Sequence, residues 1–191
     1  MYYKKIEGER VYLSPMCMDD ASKYVKWMND FEVTDGVNGS RNVVTLESEM
    51  KWIEENNKAG NYNFAIVKKE NDELIGNCSF HDYDKIYGNA TVGILIGEKE
   101  NRNKGYGCET LKLLIGYGFD YLNLNNIMLS VYSFNDIAIN CYKKVGFKEI
   151  GRRRGAIVKK NKRYDIIYMD IIKEEYYKEW LYECNRSKKT K

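Results

Sequence analysis

Gly93-Ile94-Leu95-Ile96-Gly97, then Glu98-Lys99-Glu100-Asn101, then Arg102-Asn103-Lys104-Gly105-Tyr106-Gly107, is the stretch on which the fold turns. An apolar run enters a short polar loop, and the loop enters a helix whose first turn carries two glycines. Glycine there lets the backbone approach a ligand closely. The N–H groups of a helix start have no partner inside the helix and lie at the positive end of its dipole, so they suit an anion such as a pyrophosphate. Two nucleotide-binding patterns fail on this stretch. A P-loop needs Lys and then Ser or Thr around its last glycine, and Gly107 is followed by Cys108-Glu109. A dinucleotide fingerprint needs a third glycine where Thr110 stands, and a parallel βαβ unit around it.

What precedes the stretch is an antiparallel meander instead. Tyr62–Val67, Glu73–Tyr83 and Ala90–Gly97 have strand character, with a turn at Glu70-Asn71-Asp72. Earlier still, Arg10–Leu13 alternates polar and apolar. Asp19 is placed to cap a helix with Ala21, Tyr24, Val25 and Met28 on one face, and Thr45 to cap a second with Leu46, Met50 and Ile53. Phe31–Val44, rich in Gly, Asn and Asp, is the loop between them. After the glycines, Gly105–Leu122 is an amphipathic helix with Leu111, Leu114, Ile115, Gly118 and Leu122 on one face. Ile127–Tyr132 is a strand, and Asn135–Val145 a helix stopped by Gly146. Phe147–Ile150 and Ala156–Lys159 are extended, Lys160–Lys162 is a turn, Tyr164–Ile171 a strand, and Glu174–Cys184 a last helix with Tyr177, Trp180, Leu181 and Cys184 inward. This order predicts an α/β (α+β) fold: a mixed, mostly antiparallel seven-stranded sheet, helices on both faces and a C-terminal helix.

The 191 residues predict one domain over 1–185 and a basic tail over 186–191. With 43% apolar and 31% charged residues the chain is not extensively disordered, and no apolar run approaches the ~20 residues of a membrane span. The start, Met1-Tyr2-Tyr3-Lys4-Lys5, lacks a signal-peptide core, so a cytoplasmic protein is expected. Cys17, Cys78, Cys108, Cys141 and Cys184 lie far apart with no CxxC pair. With one histidine, His81, no metal site is expected, and the thiols read as reduced. A net charge of +3 does not argue for nucleic acid. The local exceptions are Arg152-Arg153-Arg154 and the tail, and together they keep an RNA- or ribosome-associated binding module open as an alternative.

Arg102-Asn103-Lys104-Gly105-Tyr106-Gly107 fits R/Q-x-x-G-x-G/A, and about 30 residues later Asn135-Asp136-Ile137-Ala138-Ile139-Asn140-Cys141-Tyr142-Lys143-Lys144-Val145-Gly146-Phe147 fits N-x-x-A-x-x-x-Y-x-K-x-G-F. In this order and spacing the pair resembles the GCN5-related N-acetyltransferases (GNAT). Glu9–Leu13, Met18–Ala21, Trp27–Asp30, Gly116–Leu124 and Arg163–Met169 resemble its RimJ/RimL-type branch, which includes spermidine acetyltransferases. The resemblance spans roughly residues 6–172. Glu98-Lys99 replaces a proline common in the family.

The resemblance implies acetyl transfer from acetyl-CoA to a primary amine by direct attack in a ternary complex. Backbone groups of Leu95, Ile96 and Gly97 would extend the pantetheine, with the Ile96 N–H as oxyanion donor. Asn103, Lys104, Gly105, Tyr106, Gly107 and Cys108 would hold the pyrophosphate, Arg102 and Lys104 adding charge, and Asn135 would bond the CoA arm. Tyr142 is the expected general acid for the leaving thiolate. For the base, Glu32, Asp35, His81, Asp82 and Glu98 are candidates, and the family habit points to Glu32. Ser133 could face the reaction centre. The acceptor is expected among the small-molecule or peptide amines: a protein N-terminus, a polyamine or an amino sugar. It would be bound by Phe31–Val44 and His81–Asn89, with Asp84 among their acids. Family members are often homodimers. A non-catalytic CoA-binding module is the second alternative, with an intact Tyr142 against it.

Overall fold

The computed structural model describes residues 1–37, 42–58 and 61–178, and the chain divides into two compact units. The first comprises Met1–His81 and Val92–Gly116. It holds β1 (Ile6–Glu7), β2 (Val11–Ser14), α1 (Ala21–Met28), α2 (Phe31–Thr34), α3 (Leu46–Asn56), β3 (Tyr62–Lys68), most of β4 (Leu74–Asp84), the end of β5 (Asn89–Ile96) and the first turns of α4 (Tyr106–Tyr121). β1 to β4 pair antiparallel in chain order. All four residues of β2 are buried, as in a strand covered on both faces. One face carries Tyr12, Ala65 and Val67, packed with Ala21, Tyr24 and Trp27 of α1 and Ile53 of α3. On α4, Leu111, Leu114 and Ile115 are wholly buried. Full burial of an aliphatic side chain such as Ile53 or Leu111 contributes roughly 1.5–3 kcal/mol.

Thr45 caps α3 in a full capping box: its side chain accepts from the Ser48 N–H, and Ser48 accepts from the Thr45 N–H. The inward stripes differ from the expected ones. In α1 it is Ala21, Tyr24 and Trp27, because Trp27 buries more apolar area than Val25 or Met28. In α3 it is Glu49 and Ile53, leaving Leu46 and Met50 exposed. Asp19 caps nothing: it lies inside a 3₁₀ turn over Met18–Asp20 that leads into α1.

The second unit comprises Asp82–Thr91 and the described residues from Tyr117 onward. It holds the start of β5, the last turn of α4, β6 (Asn126–Tyr132), α5 (Asp136–Val145), β7 (Lys148–Lys159) and β8 (Lys162–Ile172). β5 pairs parallel with β6 through Asn89–Thr91, and β6 pairs antiparallel with β8 along its whole length. β7 and β8 form a hairpin closed by Lys160 and Asn161, both at positive φ, as a two-residue type I′ turn requires. The two expected extended segments over 147–159 are one strand, with register shifts at Glu149/Gly151 and Arg153/Ile157. On α4, Leu122 lies beyond the helix end, and Phe119 takes the buried place.

Hydrogen bonding orders the strands β1-β2-β3-β4-β5-β6-β8-β7. The sheet thus has eight strands, not seven, because Ile6–Glu7 adds a two-residue edge strand too short to show an alternating pattern. Residues 173–178 are helical. The rest of the expected last helix, including Trp180, Leu181 and Cys184, and the basic tail lie outside the described residues. Cys17 and Cys78 are free, whereas Cys108 and Cys141 are disulfide-bonded, which corrects the expectation of reduced thiols. No helix among the described residues is long and apolar enough to cross a membrane.

Candidate active site

In the first unit the chain leaves β5, makes a 3₁₀ turn over Lys99–Asn101 and enters the glycine-rich loop. Asn103 (φ 59°) and Gly105 (φ 84°) are both left-handed. Such residues interrupting right-handed backbone turn successive N–H groups inward, a geometry that cups anions. In α4 the first backbone bond among these residues runs from the Glu109 N–H to the Gly105 carbonyl, so the N–H groups of Tyr106, Gly107 and Cys108 precede it.

The two motif glycines answer to different demands. Gly105 is required by its own φ. Among the described residues nothing requires Gly107: a Cβ there would meet Ile94 Cδ1 and Ile96 Cγ1, each at an ordinary 3.9 Å. Glycine at an open, unstrained position at a helix start is what close approach of an outside group demands. The observed cradle therefore fits a pyrophosphate.

Side chains brace the loop. Arg10 Nη1 donates to the Lys104 carbonyl at 2.8 Å, and Arg10 Nε to Glu109 Oε2 at 3.0 Å. Glu109 Oε1 accepts from the Arg10 and Val11 N–H groups. The Arg10 guanidinium and the Lys68 ammonium lie 5.0 and 5.7 Å from the centre of the Tyr106 ring. Arg10 and Glu109 were missed from sequence, because nothing local links residues 99 apart. Arg102 donates to the Ile96, Gly97 and Glu32 carbonyls, at 3.3, 2.6 and 2.9 Å. Its guanidinium ties α2 to the end of β5.

Gly97 has a packing duty of its own. A Cβ on it would sit 2.0 Å from Trp27 Cε2, and its N–H donates to the Ile75 carbonyl at 2.9 Å. Glu98, where the family commonly has proline, accepts from Trp27 Nε1 and Lys26 Nζ, each at 3.1 Å. These hydrogen bonds, Lys26 first, hold its carboxyl below the usual range, which makes it a poor proton acceptor.

The other base candidates divide as follows. Glu32 lies in α2, capped by Asp30, with an exposed carboxylate 3.9 Å from Lys99 Nζ. Asp35 follows α2 directly. His81 Nε2 lies 2.8 Å from Ser79 Oγ on β4. Asp82 is exposed at φ 50°. Asp84 Oδ1 accepts from the Ile86 and Tyr87 N–H groups and so builds the β4–β5 turn.

In the second unit, the Asn-to-Phe motif is one helix closed at both ends. The Asn135 side-chain oxygen accepts from the Ala138 N–H at 3.2 Å. Gly146 (φ 111°) ends α5: its N–H bonds the Lys143 carbonyl and the Phe147 N–H bonds the Tyr142 carbonyl, a Schellman closure. Phe147 also packs edge-on against the Tyr142 ring, centroids 6.0 Å apart. Most of the motif thus fixes where Tyr142 stands. Burial pushes its phenol up to about 12, so it is protonated at neutral pH. Ser133 is engaged with β8: its Oγ accepts from the Asp165 N–H at 3.0 Å.

In the first unit the strand–loop–helix crossover forms a cradle that fits an anion, and in the second a protonated phenol stands on a capped helix; each suits a coenzyme-dependent transferase. Residues 10–148 match the acetyltransferase (GNAT) domain, and the chain belongs to that family. It is 32% identical over 171 residues to an uncharacterized N-acetyltransferase, p20, of Bacillus licheniformis, an alignment covering 88% of this chain and 96% of that one. Its fold is similar to that of a GNAT-family acetyltransferase from Bacillus anthracis (TM-score 0.76, 23% identity, 92% of this chain and 100% of that one). It is also similar to that of spermidine N-acetyltransferase from Vibrio cholerae in complex with CoA and spermine (TM-score 0.79, 19% identity, 89% and 99%). The protein is an acetyltransferase.

Proposed function

We propose that the protein transfers an acetyl group from acetyl-CoA to a primary amine by direct attack, in the manner of the RimJ/RimL-type branch. The observation that carries this is Gly107, a glycine that no contact among the described residues requires, at the mouth of an anion cradle. The backbone N–H groups of Asn103 to Cys108 hold the pyrophosphate, and Lys104 adds charge. Arg102 serves the cradle through the carbonyls it fastens. Leu95, Ile96 and Gly97 line the pantetheine, with the Ile96 N–H as the donor to the thioester oxygen. Asn135 bonds the CoA arm through its side-chain N–H groups, its oxygen being spent on the cap. Tyr142 gives its proton to the departing sulfur. Glu32 attracts the cationic amine.

The acceptor is a small-molecule or peptide amine, a polyamine first, since the Vibrio cholerae neighbour is a spermidine acetyltransferase in complex with spermine. A homodimer working in the cytoplasm is the expected form, and sedimentation reads the oligomer directly. The Arg152 guanidinium is spent on Glu149, which weakens the case for a phosphate-binding surface there.

Calorimetric titration with acetyl-CoA tests the reading. Micromolar affinity is expected, weakened at least tenfold by Gly107→Leu. Tyr142→Phe should keep that affinity and lower kcat by about 10²–10⁴-fold, the usual span of general-acid catalysis. No binding at millimolar acetyl-CoA by folded protein refutes the proposal.

A further inference from the structure

His81 and Ser79 share one face of β4, two residues apart. Ser79 is buried and His81 exposed. The imidazole leans over β5 at Gly93. A Cβ built on Gly93 would meet His81 Nε2 at 2.9 Å, His81 Cδ2 at 3.4 Å and Ser79 Oγ at 3.6 Å. Gly93 therefore leaves its side-chain space to a ring supplied by the neighbouring strand. β5 is the strand whose following residues, Ile94 to Gly97, lead into the cradle. At ~3.3 Å per residue, Gly93 lies about 10 Å along the strand from Ile96.

We infer that His81 is the proton acceptor for the attacking amine, and that Ser79 is its positioning residue. The assignment rests on the acetyl-transfer reading above. His81 Nε2 and Ser79 Oγ lie 2.8 Å apart. The assignment uses the tautomer in which Nε2 carries the hydrogen and donates to Ser79 Oγ, which leaves Nδ1 as the basic lone pair. Nε2 and Cδ2 face Gly93 and Ser79, so the open edge of this exposed ring is the Cε1–Nδ1 edge. The ammonium form of the acceptor gives a proton to Nδ1, directly or through a water. The freed nitrogen lone pair then forms the N–C bond to the acetyl carbon. The C–S bond breaks and the sulfur takes its proton from Tyr142; the new amide nitrogen sheds its second proton, which restores the Tyr142 phenol, and the proton on His81 returns to solvent.

The surroundings suit this task. The residue paired with Ser79 on β3 is Asn63, which bonds Asn56 of α3, and both are neutral. Gly93 presents no side chain, and on β4 itself Asp82 is the flanking carboxylate. Glu98, by contrast, is already committed to Lys26 and Trp27.

His81 is the sole histidine of the chain, so its imidazole NMR signals and its carbethoxylation report on that residue alone. The experiment measures acetyl transfer from acetyl-CoA to spermidine, to glucosamine and to a serine-terminated peptide, as kcat/KM against pH, with acetyl-CoA affinity measured alongside. His81→Gln should lose about 10²-fold in kcat. It should also lose the lowest-pH inflection of the profile, and keep the acetyl-CoA affinity. Ser79→Ala should shift that inflection and move the imidazole signals while retaining more activity than His81→Gln. Gly93→Ala, which displaces the ring, should lower kcat with His81 still present. Transfer by His81→Gln within twofold of wild type, or with an unchanged pH profile, overturns the assignment while the acetyltransferase reading stands. Loss of acetyl-CoA affinity in folded His81→Gln also overturns it, by showing a structural role. Binding of acetyl-CoA by wild type without transfer to any of the three amines overturns the parent reading, and this assignment with it.

Discussion

At the residue scale, the glycines separate duty to the fold from duty to a ligand. Gly97→Ala drives a methyl group into Trp27, with 2.0 Å between the new Cβ and Cε2. Overpacking of this kind costs about 1–3 kcal/mol, and urea unfolding should show it. Among the described residues Gly107→Ala meets nothing nearer than 3.9 Å. Its stability should be unchanged or raised by up to ~1 kcal/mol, since alanine is the better helix former. Acetyl-CoA binding should nevertheless weaken, measurable by the same calorimetry. A reversal of the two stability effects would sink this division of roles. Sequence alone marked both glycines as ligand-facing, because the motif does not say which neighbour forbids a side chain. Trp27 lies 70 positions from Gly97, and only the packed structure brings it there.

Elements place the chemistry. α5 is held by Asn135 at one end and by Gly146 at the other, and the second closure includes the Tyr142 carbonyl itself. Gly146→Ala puts a Cβ at φ 111°, a conformation costing an L-residue roughly 1–2 kcal/mol. Thermal unfolding should register that loss. Because Phe147 both bonds the Tyr142 carbonyl and packs its ring, kcat should fall more than acetyl-CoA affinity does. Equal falls would mean that the helix end does not position Tyr142. The caps at Thr45 and Gly146 were legible in sequence, since each rests on a side chain or glycine acting within a few residues. Asn135 was read only as a CoA ligand, and the structure makes it the N-cap of α5 as well. The inward faces of α1 and α3 were misjudged. Helical spacing offers several apolar stripes, and the sheet beneath selects one.

For the whole molecule, binding should appear as stability. A ligand that binds only the folded chain adds about 2.7 kcal/mol at a hundredfold excess over its Kd. For a chain of this size that is a rise in Tm of about 5–10 °C with acetyl-CoA, read by scanning fluorimetry. No shift at saturating acetyl-CoA would contradict the proposed function. The strand order also explains the arginine cluster in plain terms. β7 is the last strand of the sheet, and it carries Arg152, Arg153 and Arg154 beside a bulge with Gly155 at positive φ. Charges and bulges on an edge strand prevent pairing with other chains. This accounts for the cluster without nucleic acid.

The sequence by itself determined most of the element order, the mixed sheet and the anion-cradling helix start. These rest on local chemistry: alternation, helical period, capping and glycine spacing. The family came from the resemblance of its two motifs. Tertiary structure alone decided which partner each polar group meets. Arg10 reaches Glu109, Arg102 reaches the Glu32 carbonyl, and His81 fills the space over Gly93. It also placed β8 between β6 and β7, and gave Ile6–Glu7 a strand to pair with. Those pairings depend on how distant segments close on one another, and that closure is fixed by burial and hydrogen bonding summed over the fold, which no short stretch of sequence contains.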